Sequence, residues 1–372
     1  MTKAPSQTHT VDLDLGEPAP SKVQDAHLLG LPGTMLTVDI SQTGKQFGHL
    51  VVPVSESPLR DGHIRLPVCV VRGKTSGPTV TLIAGVHGDE FEGPLTLQKL
   101  SRELNADAVS GCVILVPSIN LMALESASRN SPHDQRDMDL CFPGKPNGTL
   151  SERVAFEIFE RLIRPANLVI DLRSGGSTLN FAPLAAVRAV NGSRVKSSSA
   201  HTHEQIRQNN SEEAMFAFGA PNCVRLPLST PLSCLQTSVN DLGIPYIQSE
   251  LGGGGGCSAE TLSIAYVGCN NVLRQQGVLH DEIQLRSSRI LEVRDSTFYV
   301  QATTSGMLEF HGRLGANIYQ GDALASLIDL HDAGSQPHVI ITPKNSVLLA
   351  IRHAGPVKTG DLIAILAEEV PQ

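Results

Sequence analysis

At 372 residues the chain is long enough for two to three domains of ordinary size and a substantial core. With 41% apolar and 18% charged residues, 33 glycines and 23 prolines, it reads as a loop-rich globular α/β sequence and excludes a coiled coil or a collagen. A net charge of −8, from 37 acidic against 29 basic residues, removes the electrostatic footprint of a nucleic-acid or acidic-membrane binder, so a small-molecule site is expected.

Residues 1 to about 40 are polar and carry prolines; they read as a loosely attached arm ending in the strand-like LTVDIS. The arm has no apolar core behind a basic stretch, and no run of about 18 apolar residues occurs anywhere, so the expected location is the cytoplasm. From Phe47 the runs HLVVPV, LPVCVVRG and TVTLIAGV predict strands. GPLTLQKLSREL predicts a helix, GCVILVPSIN a core strand, and Thr149 with Glu152 a capping box opening the helix SERVAFEIFERLI. NLVIDLR is the next strand. A helix near 211–218, the segment LSCLQTSVNDLG, the strand PYIQSEL and a helix from about Ser258 to Gln276, closed by Gly277, complete the series. The polar stretch SRVKSSSAHTHEQIRQ reads as a surface loop or lid.

Apolar strands alternating with helices predict an α/β fold, a mostly parallel or mixed sheet flanked by helices, with ligands beyond the carboxyl ends of the strands. After about Leu285 the helical pattern stops. Two Gly-Asp turns, at Gly321-Asp322 and Gly360-Asp361, each precede a short apolar strand, which predicts a small all-β barrel or sandwich. The expected divisions are residues 1–45, 46–285 and 286–372. The seven cysteines are odd in number, dispersed and never in CxxC spacing; they read as apolar fillers, Cys141 included. Lys344 reads as an ordinary turn lysine.

Four clusters carry candidate chemistry. His87 and Glu90, three apart after the strand TLIAG, are spaced to converge on one metal, or else to cap the following helix. Asp171 and Arg173 share a strand face at the end of NLVIDLR, and the residues alone read as an ion pair. Glu250 ends PYIQSEL ahead of a glycine run, where a carboxylate can act as a general base and Gly252 and Gly253 can let a substrate approach the backbone. Arg129, Asn130, Asp137, Asp139 and Leu140 lie in one long polar loop.

Taken in order, GVHGDEFEGP, a loop ending in FPG, a strand ending DLRSGG and ELGGGG resemble the succinylglutamate desuccinylase/aspartoacylase family of zinc amidohydrolases, relatives of the zinc carboxypeptidases. Within it the motifs FGHLVVP, GDEFEGP, SPxD and ELGGGG are most similar to N-alpha-acetyl-diaminobutyrate deacetylases. The resemblance spans about residues 46–285, and the β module after them fits the same family. It implies a carboxypeptidase-like fold, zinc held by His87 and Glu90, water activated by zinc and deprotonated by Glu250, and substrate contacts from Arg129, Asn130, Asp137, Asp139, Leu140, Gly252 and Gly253. It also implies a small N-acyl amino acid or N-acyl diamine as substrate. Homo-oligomerisation is an expectation from the family alone.

The chain departs from the family pattern at three points. Arg173 occupies the third zinc ligand's position, and a guanidinium has no lone pair to donate. Asp139 stands for an asparagine and Leu140 for the arginine that grips a substrate carboxylate. Three readings follow: a hydrolase whose third ligand is Asp139, His133, His201 or His203; a repurposed metal-free lyase or isomerase in which Arg173 pairs with Glu90 or Asp139 and the ligand is less anionic; and a non-catalytic ligand-binding member.

Overall fold

The computed structural model describes residues 33–54, 62–188, 203–227, 234–284, 286–353 and 355–370. Strands β1 (Met35–Leu36), β2 (Gly44–Pro53), β3 (His63–Arg72) and β4 (Thr75–Ala84) lead to helix α1 (Glu92–Glu103), β5 (Ser110–Val116) and the short helix α2 (Leu121–Glu125). Helix α3 (Leu150–Ile158) precedes β6 (Leu168–Arg173), β7 (Leu179–Phe181) and β8 (Leu184–Arg188). Then come α4 (His203–Phe218), β9 (Asn222–Leu226), α5 (Cys234–Asp241), β10 (Tyr246–Glu250) and α6 (Ala259–Gln275). The C-terminal strands are β11 (Arg289–Glu292), β12 (Tyr299–Gln301), β13 (Gly306–Phe310), β14 (Asn317–Ile318), β15 (Ala323–Ile328), β16 (His338–Ile341), β17 (Ser346–Arg352), β18 (Pro356–Val357) and β19 (Leu362–Glu369).

The central sheet is mixed. Its order is β1-β2-β3-β5-β4-β6-β10-β8-β9-β11-β19-β17-β14. The pairs β5–β4, β4–β6 and β6–β10 are parallel, whereas β2–β3, β3–β5 and β10–β8 are antiparallel. Thus the early runs HLVVPV and LPVCVVRG form a hairpin at one side instead of crossing over. The parallel core is fully buried because helices cover both of its faces, which is why β5 and the first half of β6 read as apolar runs. One face packs Leu97 and Leu100 of α1, Met215 and Phe218 of α4, and Ile264 and Cys269 of α6. The other packs Val154 and Ile158 of α3 and Leu235 and Val239 of α5. Each such fully buried side chain contributes about 1.5–3 kcal/mol of apolar transfer.

Local signals act as their chemistry dictates. Thr149 and Glu152 form a reciprocal capping box on α3, and Ser258 caps α6. Of LTVDIS, only Leu36 pairs in a strand, and residues from Val38 onward turn toward β2. Residues 193–202 of the expected surface loop lie outside the described residues; its remainder belongs to α4, which begins at His203 and not near 211. Polarity misleads there because the polar groups are buried and paired: Arg207 donates to Asn240 Oδ1 at 2.8 Å, and Ser211, 2% exposed, donates to the Arg207 carbonyl.

At the C-terminal end β11 pairs parallel with β9 and antiparallel with β19, so the sheet's hydrogen bonding runs on into the last strands. A second, four-stranded sheet, β16-β15-β13-β18, lies beside them. The Gly-Asp turns at 321 and 360 introduce β15 and β19. All seven cysteines are free; Cys257 is exposed, Cys234 partly so, and the other five buried. Lys344 donates to Thr297 and covers the Phe298 ring.

Candidate active site

Three neighbouring parallel strands, β4, β6 and β10, end at the same edge of the sheet and carry the candidate chemistry there. The loop after β4 supplies His87 and Glu90, β6 ends in Arg173, and β10 ends in Glu250. Arg173 and Glu250 are register partners. The β4 loop is held against α2: a Cβ on Gly88 would lie 1.9 Å from the Ala123 carbonyl carbon, so only glycine fits at that point.

His87 is 3% exposed. Its Nδ1 lies 2.5 Å from Glu90 Oε1 and its Nε2 lies 3.0 Å from Asp137 Oδ1. Burial alone would lower the imidazole's pKa, but the Glu90 and Asp137 carboxylates overcome it and push it up to about 9. Asp137 in turn is held well below the usual carboxylate range: the His87 and Arg129 contacts outweigh its burial. Arg129, on the exposed rim, donates to Asp137 Oδ2 at 3.0 Å.

A second network lies deeper. Arg173 donates through Nε to Asp171 Oδ2 at 2.6 Å and through Nη2 to Asp139 Oδ1 at 2.8 Å. Tyr246 donates its hydroxyl to the same Asp171 oxygen at 2.5 Å. Burial would lower the guanidinium's pKa, yet Asp139 and Asp171 raise it well above its ordinary value, so it stays charged. Ser174, the next residue, points its N–H at Glu90 Oε2 at 3.4 Å and ties this network to the first.

Glu250 accepts from Gln248 Nε2 at 2.8 Å, while its Oε2 is buried and has no partner among the described residues. Burial, then the like charge of Glu90, pushes its carboxyl up to about 8 against the opposing pull of Arg173. Three cations, His87, Arg129 and Arg173, thus face five acidic groups, Glu90, Asp137, Asp139, Asp171 and Glu250.

The structure therefore brings together His87, Glu90, Asp137, Arg129, Asp139, Arg173 and Glu250. Leu140 is 64% exposed in the same loop. Asn130 is spent on the loop itself, donating to the Gln135 carbonyl and accepting from Ser128 through its own. The run at Gly253 serves packing: a Cβ there would lie 2.1 Å from the Leu179 carbonyl oxygen, and its φ is +132°. A Cβ on Gly252 would come within 3.1 Å of Glu92 Oε1. A side chain at Gly253 is therefore excluded by the protein's own backbone. Tyr246, Gln248 and Ser174 were not singled out by sequence, although Tyr246, Gln248 and Glu250 alternate along one strand face.

The residues present do not fit the zinc that the resemblance implies. Both ring nitrogens of His87 face carboxylates, Arg173 offers donors only, and among the described residues no group of three or more His, Cys, Asp or Glu side chains has a metal-holding arrangement. Of the alternative third ligands, Asp139 is bound to Arg173, His133 is exposed, and His201 and the His203 side chain lie outside the described residues.

Fold and site together define an α/β protein with a buried polar cluster at the carboxyl ends of three parallel strands. The sequence matches the succinylglutamate desuccinylase/aspartoacylase catalytic domain over residues 76–276. It is 35% identical over 337 residues, 90% of this chain and 94% of the relative, to N-alpha-acetyl-L-2,4-diaminobutyric acid deacetylase of Halomonas elongata. Among solved structures, a succinylglutamate desuccinylase from Silicibacter superposes with a TM-score of 0.83 at 30% identity, covering 91% of this chain and 99% of that one. The product-bound ectoine utilization protein EutE (DoeB) from Ruegeria pomeroyi gives 0.82 at 32% identity, covering 90% and 98%. The chain belongs to the succinylglutamate desuccinylase/aspartoacylase family, a family of amide hydrolases. No helix among the described residues is long and apolar enough to cross a membrane.

Proposed function

We propose that the protein hydrolyses the amide bond of a small N-acyl amino acid or N-acyl diamine, and that its preferred substrate carries a free ammonium group. The observation that carries this reading is Glu250, an acid at a strand's carboxyl end with one buried oxygen left unpartnered. A carboxylate so placed takes a proton from an attacking water and returns it to the leaving amine. Arg129, on the rim beside His87, is placed to donate to the acyl oxygen as charge develops on it.

Charge argues for the ammonium. Leu140 offers none where the family resemblance has a carboxylate-binding arginine, and Asp139 adds an acid. Acids outnumber cations in the crevice, which favours a cationic ligand over a dianionic one. The Halomonas relative, a deacetylase of an acetylated diamino acid, supports the same substrate class. Activation of water by zinc is not carried into this reading, because the donor set does not fit the ion. A second reading, a metal-free lyase or isomerase or a ligand-binding member, is favoured by one observation: Arg173 is engaged by Asp139 and Asp171.

The test is amine release from N-acetylated diamino acids against N-acylated aspartate and glutamate. Turnover of the diamino substrates, reduced about 10²–10⁴-fold in Glu250→Gln, is expected. Binding without turnover supports the second reading, and preference for the acidic substrates overturns the ammonium assignment.

A further inference from the structure

We propose that the guanidinium of Arg173, clamped by Asp171 and Asp139, supplies the fixed positive charge at the centre of this crevice, and that His87 and Glu90 consequently hold no divalent metal. The inference goes beyond the deacylase reading and stands or falls separately from it.

Four observations carry it. His87 meets a carboxylate at each ring nitrogen, Glu90 at 2.5 Å and Asp137 at 3.0 Å. Arg173 is only 6% exposed and is anchored at two points, 2.6 Å to Asp171 and 2.8 Å to Asp139. Swinging it aside to admit an ion would strip two buried acids of their counter-charge, since Asp171 is 0% and Asp139 7% exposed.

The clamp also has an external support. Tyr246 donates to the Asp171 oxygen that receives Arg173, so the acid is oriented from β10 as well as from its own strand. Finally, Asp139 comes from a loop 34 residues earlier in the chain. Arg173 is thus paired within the protein by acids from two separate segments, without an ion. Among the described residues no group of three or more His, Cys, Asp or Glu side chains is arranged to hold a divalent cation beside it.

The experiment uses the full chain without a His-tag, dialysed against zinc, with metal per protein measured by mass spectrometry for the native protein and for His87→Ala. The quantity read is the zinc lost on removing His87. The expected loss is nil; a loss of about one equivalent, the stoichiometry of a single mononuclear site, overturns the proposal. A second arm tests cause. Arg173→His combined with Asp139→Asn removes the clamp and supplies a neutral nitrogen donor, and is expected to gain about one equivalent of zinc. Cobalt(II) bound in the same variant is expected to show a tetrahedral visible absorption band. A folded double variant that takes up no metal overturns the assignment to Arg173. If it does not fold, the comparison of native protein with His87→Ala decides alone. None of these readouts depends on turnover, so failure of the deacylase reading leaves a separate trace in the amine-release assay.

Discussion

Arg173 and Glu250 end two adjacent parallel strands and are paired across them in register, so that a permanently charged guanidinium and a protonatable acid lie side by side at the strand ends. The arrangement follows from elementary strand geometry. Asp171 and Arg173 are two residues apart and share a face, and Tyr246, Gln248 and Glu250 repeat that alternation on the neighbouring strand. The result is a row of acids and donors beneath the His87 loop.

If the Arg173 clamp is a unit, removing its central acid should cost far more than trimming its support. Asp171→Ala is expected to lose about 3–5 kcal/mol, because it leaves a buried guanidinium short of one partner. Tyr246→Phe removes a single hydroxyl and should lose about 0.5–1.5 kcal/mol. Urea unfolding of both variants measures the order, and a larger loss in Tyr246→Phe would contradict the account.

Glu250 gives the crevice a signature in pH. Its carboxyl is pushed up to about 8 in the fold, mainly by burial, above the value of about 4.3 expected in the unfolded chain. The folded state therefore binds more protons between these values, and stability must fall as pH rises through that window and level off above it. Glu250→Gln should flatten the slope. Denaturant titrations from pH 5 to 9 read it directly; equal slopes in the two proteins would remove the shift.

Gly88 holds the loop that presents His87. Gly88→Ala would drive a methyl to 1.9 Å from the Ala123 carbonyl carbon, forcing α2 or the loop to move. A loss of about 1–3 kcal/mol, on the scale of overpacking a well-packed site, is expected. The His87 imidazole NMR resonances should shift with it. Unchanged resonances and stability would show that the loop tolerates the methyl.

Leu140 tests substrate charge. Leu140→Arg places a guanidinium on an exposed position of the crevice loop and should move preference toward acidic N-acyl amino acids by about tenfold, the effect of about 1.4 kcal/mol. The side chain lies on the surface, so thermal stability should stay within about 0.5 kcal/mol of the native protein. A stable variant with unchanged preference would place the ligand's charged end elsewhere.

Much of this was legible in the residues. The strand ends carrying His87, Arg173 and Glu250 follow from apolar runs closed by polar turns, and the α3 capping box follows from Thr149 and Glu152 alone. The Asp171–Arg173 pair follows from period-two spacing. What could not be read was non-local. That Arg173 takes Asp139 and not Glu90, the other partner expected for it, depends on how a long loop closes, and that β2 and β3 form an antiparallel hairpin depends on pairing, not on composition. The start of α4 was hidden because Arg207 and Ser211 are polar yet buried and hydrogen-bonded. That Gly253 is also required by the passing Leu179 carbonyl is a non-local contact that the glycine run by itself does not announce.

The most direct measurement is anomalous diffraction at the zinc edge from crystals of the full chain equilibrated with zinc. The account predicts no anomalous peak within coordination distance of His87 and Glu90, with Arg173 still bound to Asp139 and Asp171. A peak bonded to His87 and Glu90, with the Arg173 side chain turned away from its two acids, would contradict it.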